Sequence, residues 1–201
     1  MELQETLRRR KMVRSFRRQA VPDDVLDRVL ASVVHAPSAG FTQGNEFLVL
    51  ESQDAIADYL RITVPPDYPL SDAALEVTPP VVVVPMSNKS AYVARYSEPD
   101  KIEFGLDDAD RWPVPYWDID AGMASMLILL AAVEAGLGAL FAGIAHGEAE
   151  LLTHFGVPDT FRPIGVIHLG YPTENDAESA TSSANKRERR GVDRLVHRNR
   201  W

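Results

Sequence analysis

Residues 8–18 read RRRKMVRSFRR, and seven of the eleven are Arg or Lys. A second group of seven lies in 186–200: Lys186, Arg187, Arg189, Arg190, Arg194, Arg198 and Arg200. The two groups hold 14 of the 21 basic residues in a chain whose formal charge is −8. The chemistry open to such groups is anion binding, because guanidinium offers forked, always-charged donors. Residues 19–185 carry the other seven basic residues against 25 Asp and Glu, a balance of −18. A body that acidic repels a nucleic-acid backbone, so no nucleic-acid partner is expected. Basic ends on an acidic body suit a small anion, or ion pairs with the body itself.

Other reactive groups are sparse. The five His residues (35, 146, 154, 168 and 197) follow no ligand spacing, so no metal site is expected. There is no Cys, which excludes disulfides and thiolate chemistry. Neither a G-x-S-x-G elbow nor a Walker motif is present, and the glycines of GLGALFAG do not lead a strand into a helix with dinucleotide spacing. No side chain stands out as a nucleophile. An enzyme built this way would rely on a cofactor for its chemistry.

The elements that must carry these groups can be read from periodicity. A chain of 201 residues, 45% hydrophobic and 25% charged, suits one domain spanning 1–201. The start has no apolar core of a secretory signal, and the most apolar run, 121–133, falls short of the roughly 20 residues a bilayer needs. The expectation is a soluble, cytoplasmic protein with no membrane partner. Residues 2–13 read as a helix. So do 22–35, where Pro22 suits the first helical position and Val25, Leu26, Val29, Leu30 and Val33 form one stripe. APSAGFTQGN, 36–45, is a loop; strand 46–51 and a short helix from Gln53 follow. Residues 79–86 form a buried strand. Residues 88–117 mix aromatics with acids and prolines, and either cover a pocket or lie on the surface pinned by their aromatics. Residues 118–135 form the longest helix, apolar on nearly every face, which calls for burial all round and a second subunit to provide it. A short strand in ALFAGI, a helix over 147–155, a strand over 162–170, a polar linker and the basic tail complete the chain.

Five segments in this order carry a resemblance: RRKMVRSF, APSAGFTQ, WDIDAGMASMLILLAAVEAGLGALFAG, PIGVIHLGYP and the closing KRERRGVDRLVHRNRW. Together they resemble the nitroreductase family of FMN-dependent oxidoreductases. The chain is most similar to short actinobacterial-type members with an R-R-x-V-R-S-[FY] start and a V-H-x-x-x-W end. The resemblance implies an α+β, nitroreductase-like fold with a central, mainly antiparallel sheet flanked by helices. It also implies an intertwined homodimer, with the long apolar helix at the interface and the C-terminal extension on the partner.

Site residues follow from the same resemblance. Arg10 should bind the FMN phosphate, joined by Arg187 and Arg189 from the tail. Lys11 and Met12 match positions at the ribityl chain or ring; Met12 stands where Ser is common, which leaves it only a backbone hydrogen bond. Arg14 matches a cation at the pyrimidine edge. Pro37, Ser38, Ala39 and Gly40, with Gln43 beyond them, should approach the isoalloxazine from the other subunit. Small side chains there leave room for the backbone. Phe41 replaces an Asn of some relatives. Ala142 and Gly143 match the segment whose backbone N–H faces flavin N5. Arg8, Arg17 and Arg18 read as surface charge, and Trp112, Tyr116 and Trp117 as the substrate side. No catalytic side chain is implied. NADH or NADPH would give hydride in a ping-pong cycle, and a small electron-poor acceptor such as a nitroaromatic or quinone would take it. The same resemblance admits a flavin-dependent dehydrogenase or desaturase with oxygen or a deazaflavin as redox partner, and a non-catalytic FMN store.

Overall fold

Val81–Ser87 has no polar face to turn outward, and all seven residues are buried. This strand, β2, lies at the centre of the sheet in the computed structural model, which describes residues 2–65, 78–174 and 188–201. On one side β2 pairs antiparallel with β1 (Asn45–Leu50). On the other it meets β5 (Val166–Gly170), and β3 (Gly138–Ala142) pairs antiparallel with β5 beyond. A two-residue strand, β4 (Arg162–Pro163), continues the pairing along β2. The order is β1-β2-β5-β3.

Continuous apolar character in β2 is explained by helices on both faces. Val81, Val83, Ile167 and Leu169 face a core shared with α2 (Asp23–Ala31) and α5 (Tyr116–Glu134). Val82, Val84, Met86 and Val166 face α3 (Gln53–Thr63) and α6 (Glu148–His154). The expected single strand over 162–170 is instead two. Val83 pairs with Ile167 but Met86 with Pro163, so Ile164–Val166 stand opposite only Val84 and Pro85. That is a β-bulge, placed where Pro85 has no N–H to give and accepts from Ile164 N at 3.0 Å.

Two helices differ from the sequence reading. The first, α1, spans Leu3–Arg9 and stops before the centre of the basic cluster; Arg10 is already extended, with ψ 118°. Residues 12–16 run beside the sheet instead. Met12 bridges Ala139, Val13 N–H donates to Ala139 O at 2.9 Å, and Phe16 bridges Pro172. Pairing with β3 wins over local helical preference. In α2, Pro22 is the cap rather than the first residue, and the last turn tightens into a 3-10 turn at Ser32–His35.

The long α5 is not buried all round within one chain. Ala121, Ala124, Ile128 and Ala132 are fully buried, whereas Ile119, Met123 and Met126 remain 37–45% exposed. Over its 19 residues it is long and apolar enough to cross a membrane by length and composition, yet half of it is buried inside the protein. The expected polar linker falls almost wholly outside the described residues. Beyond it the tail forms a 3-10 turn at Val192–Arg194, and Val192, Leu195, Val196 and Trp201 are exposed. His197 stacks on Trp201 at 4.3 Å.

Candidate functional site

The predicted residues form two groups on different elements. The first comprises Arg10–Arg14 and the end of β3. Glycine at 138 makes their approach possible, since an added Cβ would lie 2.7 Å from the Val13 side chain. Within this group Arg10 is half-buried, and its Nη1 is sealed from water with no hydrogen-bond partner among the described residues. Leaving a charged donor this way is costly, and an anion is the partner that relieves it. Lys11 is exposed. The Met12 side chain turns onto the sheet, where its sulfur accepts Phe141 N–H at 3.4 Å. The expectation that Met12 hydrogen-bonds only through its backbone is therefore corrected: the thioether serves the strand. Arg14 is half-buried and reaches Met12 O at 3.4 Å through Nη1. At the far end of β3, Ala142 is half-buried and Gly143 exposed, with nothing within 4 Å of the place a Cβ would occupy. The backbone there faces open space.

The second group is the loop after α2. Ala39–Phe41 form a 3-10 turn, with Gly40 at φ 61°. Phe41 and Gln43 both sit at φ 54°, a left-handed conformation unusual for non-glycine residues. Four hydrogen bonds that involve side chains help hold the loop. Gln43 N–H donates to Ser38 Oγ (2.8 Å), Thr42 Oγ1 to Ala39 O (2.6 Å), Ala39 N–H to Asp120 Oδ2 (2.8 Å), and Arg95 Nε to Gly40 O (3.0 Å). Gly40 was expected to leave room for a ligand. Its first use is internal, because a Cβ would stand 2.7 Å from the Tyr96 ring. Pro37 and Gln43 are exposed, and Phe41 is 75% exposed.

Behind this loop lies the 88–117 excursion, led by α4 (Lys89–Tyr96). Tyr92, Trp112 and Trp117 form a separate aromatic core, joined by Tyr96. Trp112 and Trp117 are 8% and 9% exposed, so they pack rather than line an open face; Tyr116 keeps 37%. Tyr92 donates to Asp120 Oδ2 at 2.7 Å. Burial, then the carboxylate partner, pushes the Tyr92 hydroxyl far above its usual pKa, so it remains a donor. Arg95 binds Asp100 and Glu98, and its guanidinium holds the Asp100 carboxyl down at about 2.

Sequence reasoning missed Asp120, Tyr92 and Arg95. A signal existed for Asp120: it is a lone acid on the face of α5 that carries Ala121, Ala124 and Ile128. Of the tail arginines, Arg187 lies outside the described residues. Arg189 is exposed and makes no hydrogen bond or ion pair among them. Two hollows border these elements, the smaller against the first group. One, about 230 Å³, is edged by Arg9, Lys11, Val13 and Gly138; the other, about 1110 Å³, lies between Arg18, α3 and Pro80. Neither is framed by both groups.

Residues 7–171 match the family model described as Nitroreductase family. The chain belongs to the nitroreductase family. Two relatives carry the provisional name NADH dehydrogenase/NAD(P)H nitroreductase. The protein of Methanothermobacter thermautotrophicus is 26% identical over 179 residues, covering 87% of this chain and 80% of its own. That of Archaeoglobus fulgidus is 25% identical over 198 residues, covering 96% and 94%. Among solved structures, one described as a nitroreductase from Desulfovibrio desulfuricans in complex with FMN superposes with a TM-score of 0.70. It is 21% identical and covers 100% of this chain and 98% of its own. The sheet and its flanking helices are thus a nitroreductase-like α+β fold.

Proposed function

We propose that this nitroreductase-family chain is a single FMN-binding domain over 1–201. It acts as a homodimeric oxidoreductase that takes hydride from NADH or NADPH and passes it to a small electron-poor acceptor. The observation that carries the reading is the buried Arg10 Nη1, which has no hydrogen-bond partner among the described residues. A near-dianionic phosphate is the group such a donor fits. Arg187 and Arg189 would reach it from a second copy. Lys11, the Met12 backbone and Arg14 would line the ribityl chain and pyrimidine edge. The open backbone at Ala142 and Gly143 would face the reacting side of the ring. The partner's copies of Pro37, Ser38, Ala39, Gly40 and Gln43 would close the other edge. Bound FMN would supply hydride acceptance and donation. The chain's part is to bind it, orient it and keep one ring face open.

Two features support the dimer: the exposed Ile119, Met123 and Met126 on α5, and the tail with its exposed Val192, Leu195, Val196 and Trp201. Apolar surface of this kind calls for a partner. The −18 balance of residues 19–185 favours a second reading of the redox partner, because nicotinamide dinucleotides are anions. On that reading a deazaflavin or oxygen serves a dehydrogenase or desaturase on the same site.

The decisive experiment is flavin content. Purified protein should be yellow and release FMN on denaturation, and Arg10→Ala should weaken FMN binding by about tenfold or more. A colourless protein that cannot be reconstituted would sink the proposal. Anaerobic mixing then separates the donors, since bleaching by NADH or NADPH supports the first reading and its absence the second.

A further inference from the structure

Asp120 is 2% exposed, on the buried side of a helix that is otherwise almost wholly apolar there. A carboxylate in that place is tolerable only if its oxygens are satisfied. No cation does this among the described residues. Oδ2 instead takes two neutral donors, Ala39 N–H at 2.8 Å and Tyr92 O–H at 2.7 Å. One comes from the loop after α2, the other from α4. One helical turn beyond Tyr92, Arg95 donates to Gly40 O at 3.0 Å, so α4 grips the residue next to the one Asp120 holds. Tyr96 then closes over Gly40. The gripped segment is the one with left-handed backbone at Gly40, Phe41 and Gln43, a conformation that persists only where surrounding contacts impose it.

We infer that Asp120 is the positioning residue of this loop. By accepting Ala39 N–H and Tyr92 O–H at one oxygen, it sets the backbone of residues 38–41 in the conformation offered to the flavin. The inference rests on the flavin reading above for that last step. Asp120 touches no cofactor in this account and acts through Ala39. The raised pKa of Tyr92 keeps its proton in place as the second donor.

The test compares wild type, Asp120→Ala and Asp120→Asn, first without added flavin. Amide hydrogen exchange over residues 38–43 should quicken by about tenfold or more in the Ala variant, while β2 and β5 keep their protection. Asn can place its amide oxygen where Oδ2 stands and accept both Ala39 N–H and Tyr92 O–H there, so it should restore slow exchange. With FMN added, the Ala variant should bind about tenfold more weakly and give an altered visible circular dichroism band; the Asn variant should resemble wild type. If the Ala variant does not fold, Asp120→Asn combined with Tyr92→Phe replaces it. That pair removes the Tyr92 O–H from the shared oxygen and must quicken exchange in 38–43. Unchanged exchange there, or protection lost evenly across the sheet, overturns the inference. If wild type takes up no FMN, the flavin reading fails by itself, and the exchange result still decides whether Asp120 sets the loop.

Discussion

His168 stands on β5, partly buried, with Nε2 2.9 Å from the Tyr59 hydroxyl. With the ring neutral and its proton on Nδ1, Nε2 accepts that O–H. Burial pushes its pKa from 6.5 down to about 4. The unfolded chain therefore takes up a proton that the folded chain refuses. The stability His168 contributes is fully present above about pH 6.5 and is lost as pH falls through about 4, by at most ~1.4 kcal/mol per pH unit. Urea midpoints across that window should fall for wild type and flatten for His168→Gln; parallel curves would refute the assignment. At this scale the sequence identified residue types better than residue roles. Arg10 was singled out because a basic cluster in family register suggests an anion site, and the structure adds that its Nη1 is buried. Met12 was misread, since a thioether turned onto Phe141 N–H leaves no trace in composition. Asp120 could have been found, because an acid on a buried helical face must have partners.

Among the elements, those set by local pattern were the legible ones. Val81–Ser87 is apolar at nearly every position, and α2 and α3 have clear stripes, so burial left little choice. Breaks were not legible. The bulge opposite Pro85 and the end of α1 at Arg9 both depend on which strand lies alongside. Gly138 controls the second of these, because only glycine lets Val13 lie against β3. Gly138→Ala should therefore push the N-terminal segment off the sheet, costing about 1–3 kcal/mol and weakening flavin binding in the same variant. Thermal melts and flavin titration measure the two together. A stability loss with wild-type flavin affinity would separate residues 10–14 from the site.

For the whole molecule, the exposed side of α5 gives the sharpest expectation. Met123→Glu puts a charge on an open face, so the fold should survive while the proposed dimer weakens to monomer; sedimentation with far-UV circular dichroism reads both. A variant that remains as dimeric as wild type would move the interface elsewhere. Charge makes a second expectation. Because residues 19–185 carry −18, the apparent KM for NADH should fall as salt rises from low to moderate strength, until screening is complete. A KM that climbs with salt would place the dinucleotide against a basic surface instead. Sheet-forming segments and the placing of the basic clusters were already set by local pattern, since hydrophobic period and charge density act over a few residues, while the α+β fold class came with the family resemblance. Tertiary structure alone decided the rest. It divided the candidate residues into a group on β3 and a loop clamped by α4 and α5, and it brought Asp120 to Ala39 across 81 positions. The reason is physical: a hydrogen bond between distant residues depends on how elements pack, and packing is a property of the assembled core rather than of any segment in it.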